Sequence, residues 1–177
     1  MSFSKLDQDG IVREAIALLS ADGLDAVSLR RVALRLGVSV SSLYWHVKDK
    51  RALYTLMSGS IFRSCLDAMP PAQDWQSWLK HFGIVLWDKQ TDVQDARRLI
   101  QMSRFDETAA QTARIRIIEP LTALGLPEER ATVAQGSVQA LVTGWTTLDS
   151  ARPGAPDHGR HAFLLSLDAL IRGWDQD

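Results

Sequence analysis

Residues 43–53 of this sequence read LYWHVKDKRAL. Three ring-bearing side chains, Tyr44, Trp45 and His46, are followed by a basic cluster that begins at Lys48. At the end of a helix, such a combination suits a negatively charged polymer, because cations pair with phosphates and aromatic rings supply contact area. The alternative is an ordinary aromatic hinge between two helices. The flanking sequence helps to distinguish these two interpretations.

Two short helices are predicted immediately before this stretch. Ser28 is a helix N-cap and Gly37 a helix stop, and apolar residues recur between them at helical spacing. Ser39 caps the next short helix, and an earlier helix ends at Gly23. A helix, a short turn containing glycine and a second helix form the sequence pattern of a helix-turn-helix. We therefore expect an N-terminal three-helix DNA-binding domain.

Positive charge is concentrated in the same region. Between Ser28 and Arg51, six basic residues stand against the single acid Asp49, a local net charge of +5 in a chain whose total is −1. Such a segment raises the rate of encounter with phosphate backbones. A solvated helical face is the alternative, but the overlap with residues 43–53 favours nucleic acid. The basic residues are Arg30, Arg31, Arg35, Lys48, Lys50 and Arg51.

The rest of the chain carries helical patterns and little β signal, so we predict an all-α fold. Asp74 is a predicted N-cap, Pro120 is expected to kink or break a helix that stops at Gly125, and Pro127 opens the next helix. A loop is predicted over residues 151–156. The predicted helices span about 7–21, 29–36, 40–47, 49–69, 74–89, 93–102, 107–124, 127–149 and 159–174.

Composition argues against several classes of protein. The single cysteine, Cys65, excludes an internal disulfide framework and fits a reducing compartment. The sequence has no apolar run of about 18 residues that would span a membrane, and its N-terminus lacks a signal-peptide core. Glycine-rich phosphate loops, nucleophile elbows and zinc-protease motifs are missing. We expect a cytoplasmic protein without cofactor, metal or catalytic residues; an all-helical enzyme is the weakest alternative.

The helix-turn-helix pattern predicts specific DNA contacts. The second helix of such a motif lies in the major groove with its N-terminal residues near base edges. Val40 suits a thymine methyl group, and Arg30 is the best candidate for bidentate reading of guanine. Lysines position the protein through phosphates without reading sequence. The predicted DNA-binding residues are Ser28, Arg30, Val40, Ser41, Ser42, Tyr44, Trp45, His46, Lys48 and Lys50.

Residues 6–63 resemble the DNA-binding domain of the TetR family of bacterial transcriptional repressors. The 43–53 stretch is especially similar to the tetracycline repressor's subgroup, and weaker similarity occurs at 75–79 and 162–174. The resemblance implies a homodimer that binds a palindromic double-stranded DNA operator and releases it when a small-molecule effector binds. It implies a helix-turn-helix domain over residues 1–50 and a helical effector-binding and dimerisation domain over 51–177.

The resemblance weakens at the effector site. The tetracycline repressor holds a magnesium–drug complex with polar side chains that include a histidine, whereas this chain has no histidine between His81 and His158. Magnesium needs oxygen ligands, so we predict a small, mainly apolar effector; a DNA-binding regulator without an inducer is the alternative. Apolar residues near the repressor's polar positions are Leu66, Phe82, Leu86 and Ile100, and the predicted lining is Phe62, Leu66, Phe82, Leu86, Met102, Phe105, Leu141 and Trp145.

Small residues spaced three or four apart let another helix approach closely, and they occur here at Gly136, Ser137, Ala140 and Gly144. In the family, the helix before the last loop and the final helix form a four-helix interface with their partners. Packing within one chain is the alternative use of these residues. A palindromic site needs two recognition helices about 34–36 Å apart, which favours a dimer. The predicted interface residues are Val138, Leu141, Leu148, Leu167, Leu170, Ile171 and Trp174.

Overall fold

The computed structural model of this 177-residue chain describes residues 6–93, 95–103, 107–150 and 156–174. Within these residues every regular element is helical, which confirms the all-α prediction. A 3-10 turn at Leu24–Ala26 and a π-helical turn at Arg114–Ile118 accompany the α-helices. The α-helices are α1 Gln8–Asp22, α2 Leu29–Leu36, α3 Val40–Tyr44, α4 Lys50–Asp67, α5 Trp75–Asp92, α6 Ala96–Met102, α7 Glu107–Ala113, α8 Glu119–Ala123, α9 Glu128–Ser150 and α10 Pro156–Trp174.

The chain divides into two compact units. Unit 1 consists of Met1–Ile61 with Asp92–Phe105, and unit 2 consists of Phe62–Thr91 with Asp106–Asp177. Each unit has its own apolar core. The domain boundary predicted at residue 50 is not tested by this division and stays a prediction.

Helix α2 and the start of α3 lie at the residues that the sequence pattern indicates. The Ser28 hydroxyl accepts the N–H of Arg31 at 3.2 Å, and the Ser39 hydroxyl accepts that of Ser42 at 3.1 Å. Gly37 ends α2 with φ +67°, a left-handed conformation that glycine adopts at little cost. These local bonds fix the lengths of α2 and the turn, and so produce the helix-turn-helix.

The third helix is shorter than predicted. It ends at Tyr44 rather than near residue 47, because the chain turns to bury Val47, which is 1% exposed. The N–H groups of His46 and Val47 both donate to the Leu43 carbonyl at 2.9 Å, which closes this turn. The Asp49 carboxylate then accepts the N–H of Ala52 at 2.7 Å and so caps α4.

Unit 2 is built around a close approach of α5 to α9 and α10. A Cβ atom added to the buried Gly83 would lie 2.8 Å from the Leu167 side chain and 3.2 Å from that of Val138. The helices therefore pack at a distance that leaves room only for a glycine hydrogen. Nearby, the rings of Trp87 and Phe163 stack with centroids 4.7 Å apart.

Pro120 distorts its helix without ending it. A proline ring clashes with the carbonyl one turn earlier and removes an N–H donor. The π-helical turn Arg114–Ile118 lies directly before it, with the Glu119 N–H donating to the Arg114 carbonyl. This wider turn accommodates the proline. The helix continues through Ala123, and Gly125, with φ +95°, follows as the predicted stop.

The last helix begins earlier than predicted. It starts at Pro156, a residue suited to the first helical position, rather than near Gly159. Gly159 instead lies inside α10, where an added Cβ would clash with the Asp149 carboxylate. The glycine thus allows α9 and α10 to approach at this level. Residues 151–155 of the predicted loop lie outside the described residues.

Candidate nucleic-acid interface

The stretch 43–53 presents its ring-bearing side chains to solvent. Leu43 and Val47 are 0% and 1% exposed and anchor the turn in the core of unit 1. Between them, Tyr44 is 56% exposed and Trp45 is 89% exposed, and His46 is also exposed. An indole this exposed contributes little to its own core, whereas a hinge residue would be packed between helices. The geometry therefore favours an external partner.

The six basic residues of this region form two groups. Arg31 lies 2.6 Å from Asp22 of α1, and Arg35 pairs with Glu14 of the same helix. These two guanidinium groups are therefore already neutralised by carboxylates of α1. Among the described residues, the other four have no carboxylate within ion-pair distance, so their charges are available to phosphates. They are Arg30, Lys48, Lys50 and Arg51, and all four are exposed.

The side chains near the start of α3 differ in availability. The Ser42 and Ser39 hydroxyls lie 2.8 Å apart and bond to each other, in addition to the cap that Ser39 provides. Ser41 is exposed, and Val40 is half-buried against the core of unit 1. The Ser28 hydroxyl serves as the cap of α2. Ser41 is therefore the most accessible of the predicted base-contacting serines.

Lys50, the first residue of α4, is held in place by an anchored ring. Its ammonium nitrogen lies 5.3 Å from the centroid of Tyr54, within the range of a cation–π interaction. Tyr54 is 3% exposed, and its hydroxyl donates to the Leu24 carbonyl at 3.3 Å. The ammonium group of Lys50 is therefore positioned by a side chain that is fixed in the core of unit 1.

The sequence did not indicate that α6 belongs with these helices. Leu99 of α6 is 0% exposed in the core of unit 1, and the Asp95 carboxylate accepts the N–H of Leu24 at 2.9 Å. Arg98 donates to Asp25 at 2.9 Å, and this hydrogen bond lowers the pKa of the Asp25 carboxyl. These contacts join residues about seventy positions apart, which local periodicity cannot reveal.

Known proteins share both the motif and the whole fold. Residues 11–57 match the family model described as bacterial regulatory proteins, tetR family. The Escherichia coli tetracycline repressor protein class D is 27% identical, covering 97% of this chain and 90% of its own length. A single-residue variant of TetR from Acinetobacter baumannii AYE, solved with minocycline, is 29% identical over 97% of this chain and 98% of that chain, with a TM-score of 0.79.

A TetR-family transcriptional regulator from Streptomyces coelicolor is 31% identical, covering 95% of this chain and 99% of that chain, with a TM-score of 0.69. The chain belongs to the TetR family. Its N-terminal helix-turn-helix and helical C-terminal part, both expected from the sequence, are confirmed by these matches. The relatives are transcriptional regulators rather than enzymes.

Most predicted effector contacts of this TetR-family chain lie in one apolar cluster of unit 2. Phe82 is fully buried, stacks on Trp78 at 5.3 Å and meets Phe62 edge-on at 6.3 Å. Burial in this cluster raises the pKa of the Cys65 thiol to about 11. Leu66 and Leu86 are also buried in this cluster, and Leu141 and Trp145 are partly buried against it. The other two predicted residues are not part of it: Met102 belongs to unit 1 and is 48% exposed, and Phe105 lies outside the described residues.

A buried polar pair lies on α5 and α9, two helices that also contribute to this cluster. The sequence pattern did not reveal this pair. Gln90 is 8% exposed and Thr146 is 3% exposed, and the Thr146 hydroxyl donates to the Gln90 side-chain carbonyl at 2.9 Å. The pair links α5 to α9. A glutamine near the end of an amphipathic helix has the pattern of a surface residue, so only the packing identifies it as buried.

The predicted dimer residues of this TetR-family chain divide by exposure. Val138, Leu167 and Ile171 belong to the core of unit 2, so their side chains are covered within a single chain. Leu148 is 51% exposed. Leu141, Leu170 and Trp174 are partly buried. Two exposed apolar residues on the same helices were not predicted, namely Val133 at 51% and Leu165 at 58%.

One face of α9 is open. Among the described residues, nothing outside the local backbone of α9 lies within 4 Å of a Cβ atom added to Gly136 or Gly144. Val133 and Leu148 are spaced three and four residues from these glycines, so all four lie along one side of the helix. Two glycines between two exposed apolar residues leave a shallow surface to which another helix can pack closely.

The surface of unit 2 also carries a groove of about 440 Å³ between α5 and α10, lined by several polar and charged side chains. Its ammonium and carboxylate groups, from Lys80 and Asp168, lie 2.9 Å apart, so it does not match the apolar lining predicted for an effector. Within the described ranges, no three His, Cys, Asp or Glu side chains are arranged to hold a metal ion. No helix in those ranges is long and apolar enough to cross a membrane.

Proposed function

We propose that this protein is a ligand-responsive transcriptional repressor that binds a palindromic operator as a homodimer. A small, mainly apolar effector releases it. The proposal is carried by four exposed cations, each without a carboxylate at ion-pair distance among the described residues, in the same unit as the exposed rings of Tyr44 and Trp45. In this proposal residues 1–50 bind double-stranded DNA in the cytoplasm, and residues 51–177 bind the effector and the second subunit.

The proposed division of labour on DNA follows from the chemistry of the exposed side chains. Arg30 reads guanine, because a guanidinium pairs with the two acceptors on its major-groove edge. Lys48 and Lys50 bind phosphates and set the position of the protein. Further contacts to bases and backbone come from Ser28, Val40, Ser41, Ser42, Tyr44, Trp45 and His46.

The open face of α9 supports the homodimer. Gly136 and Gly144 permit close approach of a second helix, and Val133 and Leu148 supply exposed apolar contacts. On α10, Leu165 offers a further exposed contact. A symmetric interface places the same surface against itself, so one such face suffices for a two-fold dimer. Two subunits then present two recognition helices to a palindrome.

The aromatic cluster around Phe82 supports an apolar effector. Ligand sites are mostly apolar with a few polar groups, and the Gln90–Thr146 pair offers such a group in the same unit. Several relatives are named as tetracycline repressors, which supports a small molecule as the signal. Release requires that the effector bind more tightly to a dimer geometry that no longer matches the operator, since only differential affinity shifts an equilibrium.

Substitution at Arg30 and Lys50 tests the DNA-binding part of the proposal. Arg30→Ala is expected to relax sequence preference, with about 1–3 kcal/mol of discrimination lost at one position. Lys50→Ala is expected to weaken binding to all sequences and to reduce the salt slope by about one unit. Titration of labelled duplexes at several salt concentrations measures both. The matched control is Arg31→Ala, which removes an equal charge that Asp22 already holds; an equal effect at Arg31 contradicts the assignment.

A compound panel tests the effector. At a concentration one hundred times its Kd, a ligand that binds only the folded protein stabilises it by about 2.7 kcal/mol. We expect apolar aromatic compounds to raise the thermal midpoint and release the operator, and tetracycline with magnesium to do neither. Tetracycline with a chelator is the control for metal-independent binding. Stabilisation by the magnesium complex contradicts the apolar effector, and the absence of any stabilising compound favours a regulator without an inducer.

A further inference from the structure

Helix α2 carries two exposed stripes that differ in what they contact. Arg31 and Arg35 lie one turn apart, and both pair with carboxylates of α1. Arg30 and Leu34 form the other stripe, also one turn apart. Leu34 is 79% exposed, and no carboxylate among the described residues pairs with Arg30. The stripe that is free to meet DNA therefore contains one guanidinium and one leucine.

Helix α3, the second helix of the helix-turn-helix and hence its recognition helix, lacks the side chains that usually distinguish bases by paired hydrogen bonds. Residues 39–47 read SVSSLYWHV and contain no arginine, lysine, asparagine, glutamine, aspartate or glutamate. Reading by paired hydrogen bonds needs one of those side chains. What α3 offers near its start is the half-buried Val40 and the exposed Ser41. In the major groove, the feature that an apolar side chain recognises is the 5-methyl group of thymine.

Leu34 and Val40 lie on either side of the tight turn at Gly37. The Gly37 N–H donates to the Leu34 carbonyl at 3.2 Å, which closes the end of α2, and Val40 opens α3 three residues later. The exposed cations Arg30 and Lys48 belong to the same small unit. Leu34 and Val40 are two apolar residues in the same unit as these exposed cations, and that combination suits a polyanion that displays methyl groups. A purely apolar protein partner would leave the cations without a counter-charge.

We propose that Leu34 and Val40 read thymine methyl groups, so that the operator half-site is specified mainly by A·T pairs next to the guanine read by Arg30. This inference rests on the proposed function and adds the chemistry of the sequence that the protein selects. It assigns Leu34, which lies outside the recognition helix, a direct contact with a base.

The test uses the full-length wild-type protein first. Its preferred duplex is selected from a random DNA pool, and each thymine is then replaced in turn by deoxyuridine, which removes only the 5-methyl group. Burial of one methyl-sized group corresponds to about a fourfold change in Kd. We expect a loss of about fourfold at two or more thymines in each half-site, and little change at the others.

Variants then assign each methyl group to a side chain. In Leu34→Ala, one of the thymine positions is expected to become insensitive to deoxyuridine, and in Val40→Ala another, while the guanine preference is kept. Ile115→Ala removes an exposed apolar side chain of unit 2 and is the control, with no position expected to change. Because Leu34 is exposed, its substitution leaves the core of unit 1 intact.

The failure of the inference is distinct from that of the proposed function. If the protein enriches no sequence, the proposed function fails and this inference with it. If an operator is enriched and bound but deoxyuridine changes no affinity, or its half-sites lack thymine, the inference is overturned while the repressor proposal stands. If deoxyuridine weakens binding equally in the wild type and both variants, other side chains read the methyl groups and the assignment is wrong.

Discussion

Replacement of Gly144 by glutamate is expected to convert the protein from a dimer into a folded monomer. Nothing in the described part of the chain, apart from the local backbone of α9, lies within 4 Å of a Cβ at this position. Glutamate favours a helix over glycine by about 0.5–1 kcal/mol. We therefore expect the substitution to leave the folded structure of the single chain intact. In the proposed dimer the same position lies at the closest approach of two helices, where a charged side chain adds both bulk and desolvation cost.

Loss of the dimer has a large consequence for DNA binding. Two linked DNA-binding domains bind about 10²–10⁴ times more tightly than one. We therefore expect the monomeric variant to bind the palindromic operator at least about 100-fold more weakly than the wild type. Light scattering measures the mass, and operator titration measures the affinity. Ala110→Glu on the exposed side of α7 is the matched control and should leave both unchanged. A Gly144→Glu protein that remains dimeric and binds normally would contradict the proposed interface.

Truncation of Phe82 to alanine is expected to lower the free energy of unfolding by about 3–5 kcal/mol. Phe82 is 0% exposed and lies between the rings of Trp78 and Phe62, so its loss removes two aromatic contacts and leaves a cavity. A close-packed core recovers such a volume only in part. The expected cost is a large fraction of the stability of an ordinary domain.

Chemical denaturation followed by tryptophan fluorescence measures the loss, since Trp78 is in ring contact with the substituted residue. Phe82→Leu keeps most of the apolar volume and is expected to lose clearly less, which separates cavity formation from a general effect of substitution. A small aromatic additive that restores stability to the alanine variant would show that the cavity is apolar and accessible. An unchanged midpoint for Phe82→Ala would contradict the packing around this ring.

Much of unit 1 was predictable because its signals are local. Ser28, Ser39 and Gly37 each bond to residues three or four positions away, so these caps and this stop can be identified from the neighbouring sequence. The boundaries that moved, such as the end of α3 at Tyr44, depend on which side chain the core buries. A single sequence does not specify that choice.

The sequence by itself determined the helical fold, the helix-turn-helix and its family, because helix caps, turns and apolar spacing are written in adjacent residues. Only the tertiary structure showed that Arg31 and Arg35 pair with carboxylates of α1, whereas Arg30 has no carboxylate partner among the described residues. The tertiary structure likewise showed that α6 belongs to unit 1, that Val138 is buried and that Leu34 is exposed. Ion pairing and burial depend on residues distant in the chain, and neither charge counts nor periodicity carries that information.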